Sequence, residues 1–357
     1  MLHITFLLAL TSLLTPSESV ELSWTDARAL SFEGQGWSEV KSPFDRLPAK
    51  AEGVVRGPVW NLSRDSAGMC TRFVTDSTEI SCRWSLIDSN LAMPHMPATG
   101  VSSVDLYVRD KDGQWRWLAC PRPTQVEMSA TLISGLPEGT REYMLYLPLY
   151  NGVTRCEIGV PIGSKIEAGP ARAKKRSLPV VFYGTSITHG GCASRAGMPH
   201  PAILGRRLDR PVINLGFSGN GTMDIEIADL LGELDAAVYV IDCLPNMNAA
   251  RVAERVVPFV KRLRELRPKT PILLVEDRSF SNSFLQPSKQ RHHANSRAAL
   301  KAGFDALRAD RIKGLSYLEG EELLGNEDTV DGSHPTDLGF VRQAEVFFPV
   351  LERLVRK

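Results

Sequence analysis

The chain has 357 residues, 43% of them apolar, with 42 Lys plus Arg against 41 Asp plus Glu and a formal charge of +1. That length predicts two domains with ample core. No basic run is longer than Lys174-Lys175-Arg176, so the footprint of a nucleic-acid binder is missing. Charged residues at 23% and aromatics at 7% exclude a disordered or fibrous chain and leave a soluble globular protein.

Residues Ile4 to Leu14 form an apolar run too short to span a bilayer, and Ser17 and Ser19 supply small residues at the −3 and −1 positions of a cleavage site. Residues 1–19 therefore read as a secretory signal, which predicts a secreted or periplasmic mature chain beginning at Val20. The n-region holds only His3 and the amino terminus, and a buried first element is the competing reading. No later stretch reaches the roughly 18 apolar residues of a membrane span.

From 20 to 165 the signals are those of β-structure. Val104 to Val108 alternates, Asp112-Gly113 supplies a hairpin turn, and Trp115, Trp117 and Ala119 continue the alternation. Tyr143 to Leu149, then Asn151-Gly152, then Val153 to Val160 reads as a second hairpin, so a β-sandwich of the jelly-roll kind is expected. Six cysteines (Cys70, Cys82, Cys120, Cys156, Cys192, Cys243) show no Cys-x-x-Cys and no His at zinc-ligand spacing, which disfavours a structural metal. Cys70 and Cys82 flank a hairpin-turn signal at Asp76-Ser77, so cross-strand pairing and buried free thiols are both open. Residues 166–177 are polar, contain Gly-Pro and carry Arg172, Lys174, Lys175 and Arg176, which reads as a linker solvated by its charge.

From 178 to 357 the rhythm changes to strands alternating with helices. Leu178 to Tyr183, Pro211 to Phe217, Ala236 to Cys243, Pro271 to Glu276 and Leu315 to Leu318 are short apolar runs of the fully buried kind. Asn248 to Arg267 repeats Val252, Val256, Val257, Val260 and Leu263 at helical spacing. Five strands separated by helices predict a parallel sheet covered on both faces, with ligands beyond the carboxyl ends of its strands.

Those strand ends carry the chemistry. Gly184-Thr185-Ser186 puts a serine at a strand tip on a glycine-flanked turn, where an acyl-transfer nucleophile would be held; a helix-capping serine is the plainer alternative. Asn214-Leu215-Gly216-Phe217-Ser218-Gly219-Asn220-Gly221 lets backbone amides approach a ligand closely, or makes a plain turn. Asp242-Cys243-Leu244-Pro245-Asn246 delivers an amide at the same edge, or caps the next helix. Asp331-Gly332-Ser333-His334-Pro335 sets a carboxylate three residues before an imidazole, in a loop that Pro335 ends by opening a helix. The carboxylate can then hold the Nδ1 proton and leave Nε2 for a nucleophile.

These blocks resemble those of the SGNH (GDSL-type) hydrolases. The match is carried by Gly184-Thr185-Ser186, Gly219, Asn246 and Asp331-Gly332-Ser333-His334, over the whole second domain. Thr185 stands where the name-giving Asp usually sits, and Leu244 and Met247 replace the Gly and Asp of the usual Gly-x-Asn-Asp. A subgroup with Asp-Cys-Leu-Pro-Asn-Met and Gly-Gly-Cys-Ala-Ser-Arg carries an N-terminal β-domain marked Gly-x-Asp-Leu-Tyr, here Ser103-Val104-Asp105-Leu106-Tyr107. The resemblance implies a flavodoxin-like three-layer αβα domain with a five-stranded parallel sheet, preceded by the β-sandwich. It also implies a serine esterase in which Ser186 attacks an ester carbonyl, His334 takes its proton and Asp331 orients the ring. The Ser186 and Gly219 amides and the Asn246 side chain would form the oxyanion hole, with neither metal nor cofactor required. The expected substrate is a small-molecule or glycan ester with a short acyl group, acetyl foremost. Lipase, arylesterase or thioesterase chemistry and an inactive carbohydrate-binding role are the alternatives. Outside the blocks, His189 reads as lining the site or lying on a helix surface, His292 and His293 as exposed, Cys192 and Cys243 as packing, and Asp242 as loop support.

Overall fold

The structure, a computed structural model, describes residues 20–356; the expected signal at 1–19 lies outside the described residues. The first half of the chain is two antiparallel sheets. Strands β1 (Leu22–Asp26), β4 (Ile80–Leu86), β7 (Glu127–Ile133) and β9 (Val153–Pro161) form one, in the order β1-β9-β4-β7. Strands β2 (Ser31–Glu33), β3 (Cys70–Thr75), β5 (Asp105–Arg109), β6 (Trp115–Ala119), β8 (Arg141–Tyr146) and β10 (Ile166–Ala168) form the other, ordered β10-β3-β8-β5-β6 with β2 beside β3. Alternation explains the sandwich: Phe73, Tyr143 and Leu145 of one sheet share a buried core with Ile80, Cys82, Trp84 and Ile158 of the other. Two short helices, α1 (Gly57–Leu62) and α2 (Ala98–Val101), lie in the connections.

The first expected hairpin forms, with β5 and β6 paired around Gly113 at φ +77°. The second does not: β8 and β9 belong to different sheets. Neither Asn151 nor Gly152 has the positive φ that a tight two-residue hairpin turn requires. Asn151 is instead buried, its amide bonded to the Asp88 backbone at 2.8 and 3.0 Å and to Ser102 Oγ at 3.1 Å. The turn at Asp76-Ser77 likewise carries the chain between sheets, so Cys70 and Cys82 are not cross-strand neighbours. All six cysteines are free thiols, and the close pair is Cys82 and Cys156, with Sγ atoms 3.9 Å apart. Residues 166–177 also do more than solvate a linker. Strand β10 extends a sheet, and Arg172, 7% exposed, pairs with Glu33 at 2.8 Å and Asp209 at 2.9 Å.

In the second half, β11 (Val180–Gly184), β12 (Val212–Gly216), β13 (Val238–Asp242), β14 (Ile272–Val275) and β15 (Leu315–Leu318) form a parallel sheet ordered β12-β11-β13-β14-β15, on the five apolar runs. The pleat sends Val181, Tyr183, Ile241 and Leu274 to one face, under α5 (Ile225–Leu231), α6 (Ala249–Leu266) and α7 (Pro287–Ala309). Val180, Phe182, Val240 and Leu273 go to the other, under α4 (His200–Leu208) and α8 (Asp337–Val355). Helix α6 is capped by Asn248, whose Oδ1 accepts the Arg251 N–H at 2.9 Å, so Asn246 is not its cap.

The two halves share their cores. Leu47, Val59 and Trp60 join the first face, and Val101, Tyr107 and Tyr146 join the second. Arg46, fully buried at the seam, donates to Asn214 O at 3.1 Å and Gly216 O at 2.6 Å. The Asp-Leu-Tyr mark is a joint: Asp105 accepts from Arg195 Nη1 at 2.9 Å and from the Gly197 N–H at 2.8 Å, and the Tyr107 hydroxyl also meets Arg195. Burial raises the Asp105 carboxyl above its ordinary range, against the pull of Arg195 and Gly197. Among the described residues no helix is long and apolar enough to cross a membrane.

Candidate active site

Ser186 sits where β11 gives way to the short helix α3 (Ser186–His189). Thr185, in extended backbone, caps that helix by accepting the Ile187 N–H on its hydroxyl at 3.3 Å. A cap needs only an acceptor oxygen, so Thr185 suffices. The Ser186 hydroxyl is thereby released from capping, and its Oγ lies 2.7 Å from His334 Nε2. On the far side of the ring, Nδ1 is 2.7 Å from Asp331 Oδ2. An ionised carboxylate can only accept, so Nδ1 carries the proton and Nε2 turns its lone pair to the Ser186 O–H.

Asp331 is itself fixed, its Oδ1 accepting the Ser333 N–H at 3.0 Å and the His334 N–H at 2.8 Å. Burial alone would raise this carboxyl; the hydrogen bonds from His334 and Ser333 outweigh it and hold the group at about 2. Gly332, at φ +95°, lets the loop turn tightly enough for these contacts. The loop is braced by the Ser281 N–H on Gly332 O at 2.9 Å and by a bridge between Thr329 and Pro335. Helix α8 begins at Asp337 under a Thr336 cap, two residues later than an opening at Pro335 would place it.

The loop after β12 packs on this strand end, its Phe217 N–H bonded to Gly184 O at 2.9 Å. The Ser186 N–H is the first of α3 and has no partner within the helix. Gly219, at φ +69°, occupies a turn closed by the Asn220 N–H on Phe217 O at 2.8 Å. The next glycine packs directly on the nucleophile's strand, since a Cβ at Gly221 would collide with Gly184 O. Asn246 Oδ1 accepts the Gly221 N–H at 3.2 Å, which orients the amide and leaves its NH2 group available.

Ser186 and His334 open on a cavity of about 490 Å³. Much of its wall comes from the first half of the chain: Pro58, Asn61, Leu62, Met93, His95 and Tyr150. The Tyr150 hydroxyl donates to Ser186 O at 3.3 Å, and the His95 ring lies 6.4 Å from that of His334. Gly191 keeps this corner open, because a Cβ there would sit 3.1 Å from the Tyr150 hydroxyl and 3.3 Å from His334 Cδ2. The sequence blocks do not point to these wall residues.

His189 is fully buried, neither lining the cavity nor lying on a helix surface. It stacks on Tyr150 at 4.0 Å between centroids and bonds Leu149 O through Nε2 at 2.7 Å; burial, helped by Arg46, holds it well below the usual imidazole range. His293 is buried rather than exposed, bonded through Nδ1 to Asp277 at 3.1 Å and accepting the Phe280 N–H on Nε2 at 3.2 Å. Asp242 does support the loops, fully buried in a two-pronged contact with Arg278 and accepting from Thr188 Oγ1 at 3.2 Å. Cys192 and Cys243 are buried, and burial pushes both thiols up, to about 11 for Cys192. Among the described residues no three His, Cys, Asp or Glu side chains are grouped as metal ligands.

Known proteins carry the same arrangement of domains. Residues 177–352 match the GDSL-like lipase/acylhydrolase family, and residues 22–166 match the N-terminal domain, named GxDLY, of SGNH-hydrolase-type esterases. A Bacteroides ovatus protein assigned as a GDSL-like lipase is 31% identical, over 94% of this chain and 98% of its own, with a TM-score of 0.88. The chain belongs to the SGNH, or GDSL-like, hydrolases. This SGNH hydrolase is thus a carboxylic ester hydrolase that carries the family's N-terminal β-domain. A salicylyl-acyltransferase from a tetracycline biosynthetic pathway is 19% identical over 91% of this chain and 95% of its own, with a TM-score of 0.72. An acetyl xylan esterase from Butyrivibrio proteoclasticus is 11% identical over 93% and 98%, with a TM-score of 0.57. At those identities the likeness is one of fold. No curated protein matches the chain in sequence.

Proposed function

We propose that this SGNH hydrolase is a serine esterase that removes short acyl groups, acetyl foremost, from a carbohydrate or small-molecule alcohol. The observation that carries it is the 2.7 Å contact of Ser186 Oγ with His334 Nε2, backed by Asp331 at 2.7 Å on the other ring nitrogen. His334 takes the hydroxyl proton as Ser186 Oγ bonds the ester carbonyl carbon, and Asp331 stabilises the imidazolium that forms. The carbonyl oxygen becomes an oxyanion, held by the Ser186 and Gly219 N–H groups and the Asn246 NH2, each worth about 3–4 kcal/mol in the transition state. Collapse expels the alcohol, which takes the proton from His334. Water, deprotonated by the same ring, then releases the acid from Ser186.

The substrate is read from the wall. Leu62 and Met93 give an apolar patch that suits a short acyl group, and Asn61 and His95 offer polar groups for hydroxyls at the open side. A chain-length series of p-nitrophenyl esters, run beside acetate release from acetylated xylan and other acetylated glycans, tests it. The expected optimum is at acetate, with glycan release. An optimum at long acyl chains with no glycan release would favour a lipase.

Export belongs to the same proposal and rests on residues 1–19. Mature protein should begin near Val20; peptides spanning His3 to Leu14 in mature material would refute it.

A further inference from the structure

The loop that carries Gly219 is gripped from the other half of the molecule. It runs from Gly216, the end of β12, to Asp224, which precedes α5. Arg56, next to α1 in the first half, reaches it with all three guanidinium nitrogens. Its Nη1 donates to Asn220 Oδ1 at 2.8 Å, and its Nη2 to Asn220 O at 2.8 Å and Thr222 Oγ1 at 3.0 Å. Nε and Nη2 also meet Asp224 Oδ2 at 3.1 and 2.9 Å. The fork therefore holds both the side chain and the backbone of the residue after Gly219.

From Asn220 the constraint passes in two directions. Backwards, its Nδ2 donates to Ser218 O at 2.8 Å and its N–H to Phe217 O at 2.8 Å, which closes the turn around Gly219. Forwards, the Gly221 N–H is shared between Phe217 O at 3.0 Å and Asn246 Oδ1 at 3.2 Å. One guanidinium is thus linked to the turn at Gly219 and, through Gly221, to the Asn246 amide.

We propose that Arg56 is a positioning residue for the oxyanion hole, so that the β-domain contributes to transition-state stabilisation as well as to the cavity wall. This rests on the serine-esterase reading above. Arg56 touches no reacting atom; it acts by keeping two donors where the oxyanion forms, and displacing such donors by about 1 Å can cost about 100-fold in rate. Its removal should leave the fold in place, because the side chain is 42% exposed and Asp224 keeps Arg255 Nη1 at 2.6 Å.

The test uses the full chain with p-nitrophenyl acetate and, separately, the rate at which a fluorophosphonate probe labels Ser186. Arg56→Ala should lower kcat by about 10- to 100-fold with KM and Tm close to wild type. It should slow labelling in step, and speed hydrogen exchange in the Phe217–Met223 peptide. Arg56→Lys keeps the charge but cannot span Asn220 Oδ1 and O together, so it should recover little of the loss. Lys50→Ala, which breaks another contact between the halves (Lys50 Nζ to Glu233 at 2.8 Å), should behave as wild type. Wild-type kcat and labelling rate in Arg56→Ala, or a loss that only follows a fall in Tm, would overturn the inference while leaving Ser186 as nucleophile. Absence of labelling in the wild type would overturn the serine-esterase reading and this inference with it.

Discussion

Two aspartate–histidine pairs near the carboxyl edge of the parallel sheet are joined through Nδ1, and they differ in exposure and in what the other ring nitrogen faces. In Asp331–His334 the carboxylate meets Nδ1 at 2.7 Å, the side chains are 47% and 28% exposed, and Nε2 faces the Ser186 hydroxyl. In Asp277–His293 the carboxylate meets Nδ1 at 3.1 Å, both side chains are buried, and Nε2 is occupied by the Phe280 N–H. The pairs are thus told apart by what the second nitrogen faces rather than by the pairing itself. The buried pair holds: it pins the backbone at Phe280, beside the Ser281 N–H that braces Gly332 of the acting loop.

The comparison is broken most severely by removing the group that faces Nε2 or the ring itself. Ser186→Ala and His334→Ala should each lower kcat for p-nitrophenyl acetate by about a million-fold, and the double variant should lose little more, because the residues work as one unit. Near-normal kcat in His334→Ala would require another base. Asp331→Asn should retain more activity, losing about ten-thousand-fold through a misplaced ring proton. Stability gives the same variant a second readout. The folded Asp331 carboxyl lies at about 2 against an ordinary 3.8. Its contribution is therefore complete above about pH 4 and lost as the pH falls through about 2. Asp331→Asn should flatten that limb of an acid-unfolding curve by a small amount, since the side chain is 47% exposed and screened. An unchanged limb would deny the hydrogen bonds their part in holding the carboxylate.

Asn246→Ala should lower kcat by about 100- to 1000-fold with KM little changed. A change confined to KM, or to Tm, would make Asn246 a structural residue. The smallest effect on rate belongs to the buried pair. His293→Ala should keep kcat within about 3-fold of wild type yet cost about 1–3 kcal/mol of stability in urea unfolding, because Asp277 is left buried without its partner. A ten-thousand-fold loss of kcat with unchanged stability would erase the distinction between the two pairs.

The αβα half was legible because four of its five strands are buried along their whole length, so 180–183 and 238–241 read as unbroken apolar runs; the edge strand β15, expected to be of the same kind, is only half-buried at Leu315, Ser316 and Tyr317. The acting pair was legible because Asp331 and His334 are three residues apart, and local spacing survives folding. The rest depended on partners distant in sequence. His293 and Asp277 are separated by 16 residues, and His189 is buried by Tyr150 and Arg46 from the other half. Asn151-Gly152 carries a strong hairpin signal, yet Asn151 spends its amide on Asp88 and Ser102. Tertiary contacts outbid the turn there. Arg56 carries no motif, and its role arises from a loop more than 160 residues away, at Asn220 and Asp224.

The central claim is that Ser186 becomes acylated. Wild type and Ser186→Ala should be mixed with p-nitrophenyl acetate, quenched in acid within the first turnovers, and digested for mass spectrometry. The account predicts one acetyl group on the wild-type peptide containing Ser186, and none anywhere in the variant, whose hydrolysis falls to background. Acetyl on another residue, or undiminished hydrolysis by Ser186→Ala, would contradict it.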